Sequence, residues 1–213
     1  MRRLAIRYTI SRFGDSAVTK DELKEVSEKF GIDIDYFVNY LLSQGYIVRI
    51  LRGVYYVKTI EEIGLKRAPD VFRVIAKGLD RLNVIWYYGL FTALGLNGIT
   101  HEYFNMIFVL NDKVIRSKTV KILGENVKFV KIKPTLATFG IIKSDEIKFS
   151  DPEKTILDFI YLSRYNKRLK LHAEEILVEY GDKINWPILC NYLEKYPKSV
   201  QREVLKYERE GIC

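Results

Sequence analysis

"DIDYFVNYLLSQGYIVRILRGVYYV", residues 33 to 57, carries the pattern that decides the fold of the first part of the chain. Ile34, Phe37, Val38 and Leu41 recur at helical spacing, so a helix over 33–45 has one apolar face and ends at Gly45. The period then changes. "YIVRIL" at 46–51 and "VYYV" at 54–57 are short β-rich runs, and Arg52-Gly53 between them reads as a tight hairpin turn.

Upstream of it, residues 3–13 form a helix closed by Gly14. "TKDE" at 19–22 is a capping box, in which Thr19 accepts from the amide three residues on and Glu22 reaches back. Leu23, Val26 and Phe30 line one face of the helix that follows, which stops at Gly31. Three helices followed by a hairpin is the order of a winged helix-turn-helix. That domain is expected over 1–62.

Function on this domain depends on the second face of the third helix. Tyr36, Asn39, Tyr40 and Ser43 fall at i, i+3, i+4 and i+7, and their hydroxyls and amide suit phosphates and base edges. No Lys or Arg occurs between 30 and 48, while Asp33 and Asp35 oppose phosphate. The bases lie elsewhere, at Arg2, Arg3, Arg7, Lys20, Arg49 and Arg52, the last two on the wing. The expected DNA-contacting set is Thr19, Lys20, Tyr36, Asn39, Tyr40, Ser43, Arg49 and Arg52. A protein-contacting face is the competing reading of the same helix.

The chain has 213 residues, 48% of them hydrophobic and 29% charged, which fits two globular domains and excludes a disordered chain. Its formal net charge of +8 favours an acidic partner, nucleic acid first. No apolar run approaches the ~20 residues of a membrane span. Charges interrupt the apolar residues of "MRRLAIRYTISRFG", which argues against a signal peptide, so the expected location is cytoplasmic. A lean towards Lys, Glu, Ile and Tyr resembles proteins of hot environments. Cys190 and Cys213 match no disulfide framework or zinc spacing, and His101 and His172 are isolated. No cofactor and no metal are expected.

A second domain is expected over 69–213, with Pro69 in the first turn of a helix over 70–82. "WYYGLFTALGLNG" at 86–98 reads as a short apolar helix. "YFNMIFVLN", "KTVKIL", "VKFVKIK" and "EIKFS" read as strands, the middle two joined through Gly124-Glu125-Asn126. Helices follow at about 152–165, 171–180, 187–195 and 198–209. Strands followed by helices indicate an α+β class. Residues 113–133 hold seven bases (Lys113, Arg116, Lys118, Lys121, Lys128, Lys131, Lys133) against Glu125 alone. They are either lysine-guarded strand edges or a surface for RNA or an acidic protein.

"SDPEKTILDFIY" at 150–161 is a well-made helix start. Asp151 is a good N-cap, Pro152 fits the first helical position, and Glu153 suits the positive helix end. Ile156, Leu157 and Ile160 face inward. Lys154, Thr155 and Asp158 are left over, and they either form a polar network or contact a partner. No glycine-rich phosphate loop or metal-spaced cluster accompanies them, so no catalytic residue is assigned. The expected partner surface comprises Lys128, Lys131, Lys133, Lys154, Thr155, Asp158, Arg164, Lys167 and Arg168.

"LRGVYYV", "WYYGLFTALGLNG" and "DPEKTILDF", in that order, resemble the AbiEi antitoxin family of transcriptional regulators over about residues 17–165. There, a line "G-x-I-x-R-L-x-R-G-x-Y" closes a winged helix. A "Y-x-G-x-x-S-A-L-x-x-x-G-L" helix and a "D-P-E-K-T-x-x-D" helix mark the antitoxin domain. Thr92 stands here where Ser is common. The resemblance implies repression of the protein's own promoter through the winged helix. It also implies neutralisation of a nucleotidyltransferase toxin through the second domain, with no catalysis by the antitoxin. The alternatives are a stand-alone winged-helix regulator whose second domain dimerises or senses a ligand, and an RNA-binding protein.

Overall fold

The computed structural model describes residues 1–100, 102, 104–164, 167–180 and 183–207, without the side chains of Lys167, Arg168, Lys170, Ala173, Leu177 and Tyr180. His101, Cys213, Tyr103 of the expected strand and residues 208–209 of the expected last helix lie outside the described residues. The protein is α+β and divides into two compact units, Met1–Val84 with Lys121–Glu125, and Ile85–Val120 with Asn126–Cys213.

The first unit begins with α1 (Arg2–Phe13), β1 (Ser16–Thr19), α2 (Lys20–Lys29) and α3 (Ile34–Ser43). It continues through β2 (Ile47–Leu51), β3 (Val54–Val57), α4 (Ile60–Gly64) and α5 (Val71–Arg81). The helix starts are set by side chains. Thr19 and Glu22 form a complete capping box on α2, Asp33 caps α3, and Thr59 with Glu62 box α4. Gly45 and Gly53 both adopt positive φ, at 70° and 79°, the conformation that ends α3 and turns the β2–β3 hairpin without a Cβ penalty. Leu23, Val26, Phe37, Val38 and Leu41 close a core with Ala5, Val18 and Val57.

One strand is additional to the sequence expectation. β1 is only "SAVT", too short to show a period, yet it pairs antiparallel with β3, giving a sheet ordered β1-β3-β2. The Lys20 amide donates to the Gly53 carbonyl at 2.8 Å, which ties the start of α2 to the hairpin tip.

The first unit extends through α5 to Val84, because α5 packs on β1, β2 and β3. A Cβ on Gly78 of α5 would meet Ile50 Cδ1 at 2.7 Å, so the helix approaches the sheet as closely as glycine permits. Lys77 bonds the Asp15 carbonyl at 2.7 Å and the Asp15 carboxylate at 3.0 Å, and Arg73 adds a contact at 3.3 Å. Pro69 is not in the first turn of α5. Asp70 caps that helix, accepting from the Arg73 amide at 2.8 Å.

Beyond Val84 the chain forms β4 (Trp86–Tyr88), α6 (Leu90–Leu96), β5 (Ile107–Asn111), β6 (Val120–Ile122) and β7 (Glu125–Lys131). A 3-10 turn at Pro134–Ala137 precedes β8 (Ile141–Ser144) and β9 (Ile147–Ser150). Four helices complete it: α7 (Pro152–Ser163), α8 (Lys167–Tyr180), α9 (Trp186–Leu193) and α10 (Lys198–Val204). The strand order is β6-β7-β5-β4-β9-β8, with β4 parallel to β9, β5 parallel to β7, and antiparallel pairs β4–β5 and β8–β9.

"WYYGLFTALGLNG" therefore splits. Its first three residues, all aromatic, form central strand β4, buried on both faces, and only Leu90–Leu96 is helical. Bulky aromatics favour a pleated, packed surface, and periodicity alone cannot separate a short buried strand from a buried helix. α7 packs against α6, α8, α9 and α10, so its residues from Glu153 to Leu162 are buried all round.

Candidate functional site

The first candidate is the outer face of α3 with the neighbouring hairpin. Phe37, Val38 and Leu41 point into the core, which leaves Tyr36, Asn39 and Ser43 exposed and Tyr40 partly so. The two acids expected to oppose phosphate are both engaged. The Asp33 carboxylate caps the helix, accepting from the Tyr36 amide at 2.8 Å, and Asp35 pairs with Lys20 of α2 at 2.6 Å. That pairing also holds the Lys20 ammonium above its ordinary value, with the hydrogen bond to Asp35 as the main cause.

The tyrosines are not bare. Their rings stack at 6.3 Å, and Arg2 from α1 donates to the Tyr36 hydroxyl at 2.8 Å while lying 4.5 Å above the Tyr40 ring. Ser43 Oγ donates back to the Tyr40 carbonyl at 2.9 Å. On the hairpin, Arg49 and Arg52 are both exposed, and Arg49 lies 5.8 Å from the Tyr55 ring centre, beside a register shift between Arg49 and Leu51. Thr19 stands apart from the others. Its hydroxyl accepts from the Glu22 amide at 3.3 Å and lies 3.1 Å from that carboxylate, so it is engaged in capping. Glu22 is itself paired with Arg81 at 2.8 Å.

The second candidate, the leftover polar residues of α7, is not on a surface. Lys154, Thr155 and Asp158 are each 0% exposed. They cannot meet a partner directly in this fold, and of the two expectations for them the internal network is the one observed. Lys154 Nζ lies 3.2 Å from Asp158 Oδ1. Tyr196 donates to the same oxygen at 2.7 Å and Tyr87 donates to Oδ2 at 2.7 Å. Lys154 also donates to the Tyr196 hydroxyl at 3.1 Å and sits 4.8 and 4.7 Å from the rings of Tyr87 and Phe139.

Spacing placed Lys154 and Asp158 one turn apart on a helix, where such pairs meet. Tyr87 and Tyr196 carried no local signal, because they come from a strand and a post-helical turn 71 and 38 residues away. Burial pushes the Lys154 ammonium below its ordinary value, against the pull of Asp158. Burial, then the Asp158 charge, raises the phenols of Tyr87 and Tyr196 well above theirs.

A second layer supports the hub. Asp151 caps α7 through the Lys154 amide at 2.8 Å and accepts from Tyr192 at 3.0 Å. Burial raises the Asp151 carboxyl and moves the Tyr192 phenol to about 12. Thr155 Oγ1 bonds the Asp151 carbonyl and the Ser150 hydroxyl, both at 2.7 Å. Gly140, at φ 61°, accepts from the Asp151 amide at 2.9 Å, and a Cβ there would stand 2.8 Å from Lys154 Cβ. The cluster is enclosed, with no buried side-chain N or O atom left without a partner. Its chemistry is that of a brace.

The remaining expected partner residues divide by position. Lys131, Lys133 and Arg164 are exposed. Lys128 is half-buried on β7 and donates to the Ser117 carbonyl at 2.6 Å, consistent with its phase opposite to Lys131 and Lys133. The side chains of Lys167 and Arg168 lie outside the described residues. Among the described residues no group of three or more His, Cys, Asp or Glu is placed to hold a metal, and no helix is long and apolar enough to cross a membrane. No protein-family model matches the chain, and no curated protein matches it.

Proposed function

We propose that residues 1–62 act as a winged helix that binds promoter DNA, with α3 as the reading helix and β2–β3 as the wing. The observation that carries this reading is the state of α3: its polar face is exposed, and both of its acids are occupied, one as a cap and one by Lys20. Asn39 is then a neutral reader of base edges, and Arg49 and Arg52 supply charge to the backbone or minor groove. The net charge of +8 agrees with an anionic partner.

For the second unit we propose the antitoxin role that the "DPEKTILDF" resemblance implies, without catalysis. Lys154 and Asp158 then hold α7 in place from within, and the toxin-facing groups are exposed ones such as Lys131, Lys133 and Arg164. The test is co-expression with the adjacent reading frame, scoring growth rescue together with a shift of the shared promoter. Promoter binding without rescue would leave the DNA-binding half and remove the antitoxin half.

A further inference from the structure

We infer that Arg2 is a phosphate clamp for the DNA-reading face of α3, supplied from a different helix. This rests on the DNA-binding reading above and names the residue that gives the neutral helix its charge. α3 contains no Lys or Arg, so any positive charge on its face must come from another element. Arg2 provides one at two fixed points, the Tyr36 hydroxyl at 2.8 Å and the Tyr40 ring at 4.5 Å.

The guanidinium has five N–H donors in a rigid plane, and the Tyr36 contact is made through Nη1. The site is open, since Arg2 is exposed and Tyr36 is 51% exposed. A planar fork already held by an aromatic ring loses little further freedom when a phosphate oxygen arrives, and it suits two parallel hydrogen bonds. Asn39 lies on the same exposed face, three residues from Tyr36. A phosphate held by Arg2 would therefore fix the register in which Asn39 meets a base edge. Arg3 and Arg7 of α1 are also exposed and add charge from the same helix.

The probe is the duplex upstream of the protein's own reading frame, beside a random duplex of equal length, each titrated across a salt series. Arg2→Ala should weaken both duplexes alike and lower the slope of log K against log salt by about 0.9, the value for one lost phosphate contact. Arg2→Lys should retain the slope. Tyr36→Phe, which deletes the acceptor and leaves the charge, should weaken binding at unchanged slope. If Arg2→Ala melts early, Arg2→Gln keeps a donor for Tyr36 without the charge and must give the same lowered slope. Arg2→Ala or Arg2→Gln with the wild-type slope, while Arg52→Ala lowers it, would overturn the clamp and leave the DNA-binding reading intact. Wild-type protein that binds neither duplex would overturn both, and that outcome is visible before any variant is made.

Discussion

Lys154 Nζ lies 3.2 Å from Asp158 Oδ1, one helical turn along α7, and neither side chain reaches solvent. Two ions removed from water are costly unless geometry and further hydrogen bonds compensate. Here the compensation is shared: Asp158 receives Tyr87 and Tyr196 as well as Lys154. The three donors come from β4, from α7 itself and from the turn after α9, so one carboxylate fastens the sheet and two helical segments together.

Asp158→Asn keeps the shape of that hub but leaves the Lys154 charge buried without its counter-ion. It should cost about 3–5 kcal/mol. Tyr87→Phe removes one hydrogen bond to a charged group and should cost about 1.5–3 kcal/mol. Urea unfolding followed by circular dichroism ranks the two, and a cost below 1 kcal/mol for Asp158→Asn would mean that the pair is dispensable.

Asp151 gives a prediction with a sign. Burial raises its folded carboxyl above the unfolded value, so its stabilising contribution is full below the unfolded pKa and is lost as pH rises through the folded one. Asn is an equally good N-cap and carries no charge. Asp151→Asn should therefore be tolerated at neutral pH, where ionised Asp151 is at a disadvantage, and it should flatten that part of the stability–pH curve. Asp151→Ala loses the cap and should cost about 0.5–2 kcal/mol. Thermal melts between acid and neutral pH distinguish the outcomes, and a steeper curve for Asp151→Asn would mean that folding lowers the Asp151 carboxyl instead of raising it.

Arg49→Ala/Arg52→Ala tests the hairpin. If both contact phosphate, the slope of log K against log salt should fall by about 1.8, and random and promoter duplexes should lose affinity together. A base contact by either would add about 1–3 kcal/mol of loss on the promoter alone. Unchanged binding at matched salt, with an unaltered melt, would take the hairpin out of the interface.

Asn39→Ala tests reading by α3. An amide that contacts a base edge contributes discrimination rather than charge, so promoter affinity should fall while random-duplex affinity and the salt slope hold. Equal losses on both duplexes would show that this helix does not read sequence.

Within the first 57 residues the three helices and the hairpin were legible because their signals are local. Capping boxes, glycine stops and an apolar period of 3.6 act within a few residues, and α1, α2, α3 and the hairpin form where those signals lie. Asp151 as the cap of α7 was readable for the same reason. Tertiary contacts decided what local signals do not encode. β1 is a strand because β3 offers it a partner, α5 joins the first unit because Gly78 lets it press against Ile50, and Trp86–Tyr88 is extended because it lies between two strands. The same holds for the polar residues of α7. Sequence placed Lys154 and Asp158 on neighbouring turns, but their burial depends on four helices packing around them, and Tyr87 and Tyr196 reach them only once β4 and α9 are in position. Hydrogen bonds between residues distant in sequence leave no period to read, which is why the brace was visible only in the folded chain.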